Sequence, residues 1–308
     1  MNAVTTPSTV TTAAPGRRTG REGFAGLRHS SARRAVVFHL ISVAVLVIVL
    51  YPVVWMLVSS FRPTSEIIGN VSLFPDPDTT SFDNYVRALS GIGGVSFWTF
   101  FKNSLILAVG SVVGIAISGS LSAYALARIR FPGRNLWFSL MIATLLLPFH
   151  VVIIPQYIVY NSLGLVNSFW PLLLGKFLAA EAFFVFLMVQ FMRNLPRELD
   201  EAARIDGAGH LRIYRSIMLP LMKPALVTSS IFAFIWSWND FFGPLLFLKD
   251  PELYSLPIAL RLYVDQTSTS DYGAQMAMAV LALVPVILFF IVFQRHLVEG
   301  VATQGLKG

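Results

Sequence analysis

Four ionisable side chains lie inside apolar runs of the sequence, where a charge is costly. They are His150, Lys176, Glu181 and Asp240. In a lipid environment such groups usually face a water-filled cavity or pair with a neighbour. Lys176 and Glu181 are five residues apart, outside the i,i+4 spacing that favours pairing on one helix, although long side chains could still meet. Glu181 is therefore a candidate for lining a polar path, with a structural bond to a neighbouring helix as the alternative.

A second polar group interrupts an apolar run at Trp238, Asn239 and Asp240, shortly before Pro244. An aromatic face beside amide and carboxylate groups suits a sugar, whose C–H face stacks on a ring while its hydroxyls form hydrogen bonds. The alternative is an interfacial tryptophan followed by a helix kink at Pro244. The candidate path residues are thus Glu181, Trp238, Asn239 and Asp240.

Several kinds of chemistry find no support in the sequence. It contains no cysteine, and its five histidines are scattered, with no pair at i,i+4 spacing that would suggest a metal site. We find no credible pair of nucleophile and base. A phosphate-binding loop is also missing, since Gly175-Lys176 is followed by Phe177. We therefore expect no catalytic residue, no metal site and no cofactor bound by this chain.

Composition places most of the chain in lipid. Of 308 residues 55% are hydrophobic and only 13% are charged, and the mean hydropathy is +0.68. The apolar residues fall into solid runs of roughly 20, the length of a helix that crosses a ~30 Å hydrocarbon core, rather than the alternating segments of a barrel. We expect an all-α polytopic membrane protein. The net charge of +7 does not imply a nucleic-acid partner, because basic residues in such a chain mark cytoplasmic loops.

The runs predict six transmembrane helices within a domain of residues 36–294. The spans cover about 36–58, 103–126, 137–160, 169–191, 224–248 and 273–294. Residues 1–35 are predicted to be a disordered basic cytoplasmic arm, with membrane lipid as a candidate partner, and residues 295–308 a cytoplasmic tail. Lys and Arg concentrate in the arm and in loops 127–136 and 192–223. Positive loops stay inside, so both termini are predicted to be cytoplasmic.

The loop 196–220 has an unusual pattern. Its acids Glu198, Asp200 and Glu201 suit the positive end of a first short helix. Gly207 and Gly209 can adopt the left-handed conformation that ends that helix and turns the chain into a second one. The pattern predicts an amphipathic helical elbow at the membrane surface. A hairpin that merely caps two spans is the alternative.

The residues of this loop also match a known motif. Glu201-Ala202-Ala203 is followed after three residues by Gly207 and after nine more by Ile217-x-Leu219-Pro220. This spacing resembles the EAA loop of permease subunits of ATP-binding-cassette (ABC) importers. In that family the loop is a coupling helix that docks in a cleft of the ATP-hydrolysing subunit. The resemblance implies that coupling to the ATPase uses Glu201, Ala202, Ala203, Gly207, Ile217, Leu219 and Pro220.

Further stretches resemble the carbohydrate branch of that family, in particular its maltose-permease type. They are 124–133 (YALARIRFPG), Pro148, Pro155, 163–167 (LGLVN) and 238–244 (WNDFFGP). The resemblance covers about residues 36–300 and implies the six-helix fold of type I importer permeases, in a bacterial plasma (inner) membrane.

The same resemblance implies a set of partners and a division of labour. The partners would be an ABC ATPase dimer that holds ATP and Mg, a second related permease subunit, and an extracytoplasmic sugar-binding protein, which the loop 249–272 would reach. The chain itself would be a transport subunit and not an enzyme. The alternative is an ion-coupled secondary transporter of a small polar solute, with Glu181 or Asp240 as its proton site.

Overall fold

The computed structural model describes residues 25–69, 77–264 and 270–305. Within these ranges the chain is built of helices joined by turns, and the single isolated β-bridge joins Ile92 to Val95. The described part contains no β-strand. The expected all-α class is therefore confirmed.

The helices follow the apolar runs, with several breaks. In chain order they are α1 (Ala25–Ser59), α2 (Thr64–Gly69), α3 (Asp83–Ser90), α4 (Phe97–Gly114), α5 (Ser120–Arg128), α6 (Arg134–Thr144), α7 (Phe149–Ser162), α8 (Trp170–Phe177), α9 (Ala182–Arg193), α10 (Glu198–Ile205), α11 (His210–Ile213), α12 (Leu219–Leu221), α13 (Lys223–Trp238), α14 (Phe242–Phe247), α15 (Leu256–Leu262) and α16 (Tyr272–Gly305). Two π-helical turns, Ile115–Gly119 and Tyr214–Met218, join α4 to α5 and α11 to α12.

Length and composition allow four to six membrane crossings among the described residues, which includes the six predicted. Four stretches qualify alone: Arg33–Ser59, Phe97–Arg128, Trp170–Arg193 and Tyr272–Gln294. Two bent pairs qualify together, namely Arg134–Thr144 with Phe149–Ser162 and His210–Leu221 with Lys223–Trp238.

The third predicted span, 137–160, is not one straight helix. Helices α6 and α7 meet at 105°, and Pro148 lies at the start of α7 with an extended backbone. Proline lacks an N–H and disfavours helical geometry in the residue before it, so it separates the two helices. Pro155 lies inside α7, which continues through it. Of the two prolines in this span, only Pro148 coincides with a break.

Both terminal helices extend beyond the apolar runs. Helix α1 begins at Ala25, so residues 25–35, which we expected to be disordered, are helical. Helix α16 runs to Gly305 and takes in most of the predicted tail. Ala, Arg and Gln have good helix propensity, which allows a helix to continue past its membrane segment. The remainder of the predicted arm, residues 1–24, lies outside the described residues.

The chain divides into two compact units at residue 54. The first contains most of α1, whose apolar side chains are exposed from Val36 onward, as suits a helix surrounded by lipid or by other membrane helices. The second unit has two cores. One joins α5 and α9 to the segment from α11 to α12, around Met188 and Met218. The other joins α4 and the end of α13 to α15 and α16, around Phe100 and Met278.

The segments 59–101 and 249–272, which lie between predicted spans, contain short helices. Helix α15 packs against α4, and the backbone N–H of Leu256 donates to Ser104 Oγ at 2.8 Å. The side-chain amide of Asn103 donates to the carbonyls of Glu252 and Tyr254 at 2.7 and 3.0 Å. The described part of the second segment is thus held against the helices rather than extended.

Candidate functional site

The loop 196–220 folds as the predicted elbow of two short helices and a turn. Gly207 has φ +78° and ends α10, as expected. The N–H groups of Gly207 and Ala208 donate to the carbonyls of Arg204 and Ala203 at 3.0 and 2.9 Å, which is the Schellman pattern of a helix end. Gly209 has φ −74° and ψ 166°. The prediction that Gly209 is left-handed is wrong, because one left-handed residue suffices for this motif.

Helix α10 has two faces with different surroundings. Asp200 and Ala203 are buried, and Ala203 belongs to the core formed with α5 and α9. Glu201 and Ala202 are exposed, and Ile205 keeps 88% of its surface accessible. The expected contact surface centred on residues 201–203 and 207 is therefore incomplete, because Ala203 packs inside its own chain.

The later motif residues are also divided between core and surface. Ile217 and Leu219 are half-buried and pack against the same core. Pro220 is exposed, and Leu211, outside the motif, keeps 73% of its surface accessible. Glu201, Ala202, Gly207 and Pro220 are therefore the motif residues accessible to a partner, and Leu211 is accessible as well.

A buried ion pair fixes the elbow to the membrane helices. Arg128, the last residue of α5, lies 3.0 Å from Asp200 in the first turn of α10. Its other terminal nitrogen donates to the carbonyls of Met192 and Leu195, at 2.7 and 2.9 Å. One guanidinium therefore donates to carbonyls at and just beyond the end of α9 and pairs with a carboxylate in the first turn of α10. The arrangement ties three helices at one point.

The sequence did not identify this pair. The sequence places Arg128 at the start of a basic loop and Asp200 near a helix start, and neither position indicates the other residue. The available signal was an arginine in the last turn of an apolar run, where its charge sits beside the carbonyl end of the helix dipole. That signal does not identify Asp200 as the partner of Arg128.

A second contact joins the two π-helical turns. The hydroxyls of Ser120 and Tyr214 are 2.7 Å apart and buried. Ser120 directly follows the turn Ile115–Gly119, and Tyr214 begins the other turn. The ring of Tyr214 also lies 5.4 Å from that of Tyr124. The elbow therefore contacts the second span at two levels, through Asp200 and through Tyr214.

A cavity of about 250 Å³ lies between α8, α9, α13 and α14. Lys176 and Glu181, which form an ion pair, both line it. They meet because the helix is interrupted between them: Ala179 has φ +55°, and the N–H of Ala180 donates to the carbonyl of Gly175 at 2.9 Å. The break, and not helical spacing, brings the two side chains together.

Asp240 also lines this cavity, at the break between α13 and α14. One of its carboxylate oxygens accepts a hydrogen bond from the backbone N–H of Gly243 at 3.1 Å. The exposed ring of Trp236 and the hydroxyl-bearing Ser237 complete this side. The lining therefore offers two carboxylates, one ammonium group, one indole and one hydroxyl, which can bind a solute rich in hydroxyls.

Two of the four predicted path residues lie elsewhere. Trp238 is buried, its ring stacks on Phe234, and its Nε1 donates to the carbonyl of Ala282 at 3.1 Å. The side-chain amide of Asn239 donates to the carbonyl of Ile235 in its own helix at 2.8 Å. Trp236, two residues before Trp238, provides the aromatic surface instead, because two residues along a helix turn the side chain by about 200° around its axis.

No group of three or more His, Asp or Glu side chains in the described ranges is arranged to hold a metal ion. His150, one of the four ionisable residues in the apolar runs, does not line the cavity. Its ring packs edge-on against those of Phe149 and Phe242.

Comparison with known proteins places this arrangement in a family. The family model described as "binding-protein-dependent transport system inner membrane component" matches residues 114–303, which include the elbow and all lining residues of the cavity except Leu107. The chain belongs to this family. Its relatives include the arabinooligosaccharides transport system permease protein AraQ of Halalkalibacterium halodurans, 35% identical over 85% of this chain and 92% of the relative. The diacetylchitobiose uptake system permease protein NgcG of Streptomyces coelicolor is 36% identical over 90% of both chains.

Two further similarities concern substrate range and fold. The sn-glycerol-3-phosphate transport system permease protein UgpE of Brucella abortus is 35% identical over 85% of this permease and 94% of its own length. A solved bacterial ABC transporter that imports the acidic polysaccharide alginate contains a chain with TM-score 0.75 and 25% identity, covering 86% of this permease and 97% of that chain. The expected resemblance to ABC importer permeases and the expected membrane fold are confirmed. The family supports transport as a permease subunit and gives no support to the ion-coupled alternative.

Proposed function

We propose that this permease imports a carbohydrate across a bacterial plasma membrane as one of two related permease subunits. An extracytoplasmic binding protein delivers the sugar, and an ABC ATPase dimer, which holds ATP and Mg, drives the exchange between outward-facing and inward-facing states. Both termini and the elbow lie in the cytoplasm, in agreement with the concentration of Lys and Arg in 192–223.

The cavity supports a sugar as the cargo. An indole beside carboxylates and a hydroxyl suits the stacking face and the hydroxyls of a pyranose or furanose ring. The lining has two carboxylates, Glu181 and Asp240, against the single ammonium of Lys176. This balance disfavours a phosphorylated polyol, the cargo in the name of the Brucella relative, and favours the neutral sugars named for the other two.

The observation that carries the proposal is the buried pair of Arg128 and Asp200. The exposed face of the elbow, with Glu201 and Ala202, faces away from the bundle. Its buried face is fixed through Asp200 to the ends of α5 and α9. A partner that binds the exposed face and moves must therefore move the spans, which is the mechanical requirement for coupling.

The test is sugar uptake by the assembled importer in proteoliposomes containing ATP. We expect Glu201→Lys to lower both the amount of ATPase that co-purifies and the rate of uptake, while the permease inserts normally. Lys223→Glu, an equally large charge change at an exposed position outside the elbow, is the matched control and retains uptake. Normal uptake by Glu201→Lys would refute the assignment of the elbow.

A further inference from the structure

A second cavity, of about 480 Å³, lies between the end of α5, the start of α6 and the start of α10. Three arginines line it: Arg130, Arg134 and Arg197. Its remaining lining residues are uncharged and include Asn135 and Leu136. We call this the arginine cavity. No carboxylate is among the lining residues of this space, although Arg130 and Arg197 also line a neighbouring pocket with Asp200 and Glu201. Three guanidinium groups around one space favour an anion between them.

These arginines differ from their neighbours in having no partner. Arg128 is paired with Asp200, and the guanidinium carbon of Arg193 lies 4.3 Å above the ring of Phe138. Within the described ranges, no ion pair, side-chain hydrogen bond or ring contact is formed by Arg130, Arg134 or Arg197. Their positive charges are therefore available to a ligand.

Arg134 stands at a position where its charge is unfavourable for the protein alone. It begins α6, an eleven-residue helix with no acid in its first turn. A cation at the positive end of a helix dipole is destabilising, and an anion at the same place is stabilising. A bound anion would therefore neutralise both the dipole and the arginines.

The arginine cavity lies at the level where three spans end. Arg130 follows the span that ends at Arg128 by two residues. Arg197 follows the span that ends at Arg193 by four residues, and Arg134 begins a third span. Next to it on α6, Leu136, Trp137 and Leu140 are exposed. Tryptophan is enriched at the membrane interface, so this surface faces lipid near the depth of the headgroups.

We propose that the arginine cavity binds the phosphate of an anionic phospholipid, with the acyl chains lying along the exposed apolar face of α6. Guanidinium groups match phosphate in geometry and charge, and basic pockets between membrane helices bind such headgroups. Arg197 directly precedes α10. The bound lipid thus lies against the base of the elbow and outside the sugar cavity, and Arg130 and Arg197 also line a neighbouring pocket that contains Glu201.

The test measures lipid binding and does not depend on transport. The importer, co-expressed with its partner subunits, is delipidated in mild detergent and titrated with phosphatidylglycerol, and bound lipid is counted by native mass spectrometry. The variant carries Arg130→Gln, Arg134→Gln and Arg197→Gln. Each basic side chain near an anionic surface contributes roughly a fivefold change in affinity, so the triple variant should bind on the order of a hundredfold more weakly.

The matched control carries Arg212→Gln, Arg215→Gln and Lys223→Gln, which remove the same charge from exposed positions outside the arginine cavity. It should bind the lipid like the wild type. Equal binding by wild type and arginine-cavity variant, or equal loss in both triple variants, would overturn the proposal. Inorganic phosphate is tested as a competitor in the same titration. Displacement of the lipid by inorganic phosphate at equal concentration would assign the site to a free anion and overturn the proposal of a bound phospholipid.

Discussion

A terminal nitrogen of Arg128 lies 3.0 Å from a carboxylate oxygen of Asp200, and the two side chains keep only 3% and 8% of their surface exposed. The pair connects the end of a membrane helix to the first turn of a surface helix. An ion pair buried to this extent contributes little net stability compared with an apolar pair, but the loss of one partner leaves the other charged and unpaired. This asymmetry makes the connection testable.

We expect Asp200→Leu to lower the stability of the assembled importer by about 3 kcal/mol, because it leaves Arg128 buried without a counter-charge. Adding Arg128→Met should restore most of the loss, since two apolar side chains replace the pair. The measurement is the thermal unfolding midpoint of the purified complex. Asp206→Leu, at the exposed end of the same helix, is the control and should melt near the wild type. Equal unfolding midpoints for Asp200→Leu and Asp206→Leu would contradict the role of the Arg128–Asp200 pair in holding the elbow.

Substitution by alanine should have different effects at the two tryptophans of α13, lowering stability at one and sugar uptake at the other. Trp238 is buried with a hydrogen-bonded indole, so Trp238→Ala should cost about 3–5 kcal/mol. Trp236 lines the sugar cavity with nearly half its surface exposed, so Trp236→Ala should change stability little and should slow uptake. Melting of the complex and the initial rate of ATP-driven uptake measure the two effects. A large loss of stability in Trp236→Ala with normal uptake would contradict the assignment of Trp236 to the sugar cavity.

The two glycines of the elbow make a matched pair. An added Cβ would meet nothing within 4 Å at either Gly207 or Gly209, so only the backbone distinguishes them. Gly207→Ala should cost about 1–2 kcal/mol because its φ is +78°. Gly209→Ala should be neutral or stabilising by about 0.4–1 kcal/mol through the unfolded chain. The measurement is the thermal unfolding midpoint of both variants. A similar loss of stability at both positions would show that the positive φ of Gly207 is not the cause.

The elbow was predictable from the sequence because it is local. The acids of its first turn, Gly207 and the motif spacing all lie within one short segment, and the helix end follows from backbone chemistry. Gly209 shows the limit of that argument. Glycine permits a left-handed conformation without requiring it, and the hydrogen bonds of Gly207 and Ala208 already close the helix.

Features that depend on tertiary packing, or on a break in a helix that the residue types do not signal, were not predictable. Arg128 and Asp200 lie on different helices, and neither residue type indicates the other. The meeting of Lys176 with Glu181 depends on a break at Ala179, where alanine gives no sign of a positive φ. Trp236 and Trp238 are equally aromatic, and the packing of α13 against α16 decides which ring is buried.

The contact between α3 and the start of α16 should depend on pH. Burial raises the pKa of Asp271, but hydrogen bonds from the Ala274 N–H, Arg87 and Thr64, together with the charge of Arg87, outweigh it and hold the pKa below the ordinary 3.8. A carboxyl whose pKa is depressed on folding contributes stability above its unfolded pKa and loses it as the pH falls through the folded value.

The importer should therefore lose this contribution only below about pH 3.8. The ion pair of Arg87 and Asp271 is partly exposed, so its contribution to stability is at most about 1 kcal/mol. We measure melting curves between pH 3 and 6 for wild type and Asp271→Asn. The two should differ at the upper end of this range and converge at its acidic end. Asp83→Asn, an acid in the first turn of α3, is the control. Parallel curves for wild type and Asp271→Asn would contradict the assignment.

The central claim is that this permease moves a sugar by energy received from a separate ATPase through the elbow. Its most direct measurement is uptake of a labelled neutral oligosaccharide into proteoliposomes, with the binding protein outside and the ATPase domains facing an ATP-filled lumen. We predict uptake only when the ATPase subunits and ATP are both present, and loss of uptake in Glu201→Lys. Uptake by the permease alone in ATP-free vesicles, driven by a pH gradient, would contradict the account.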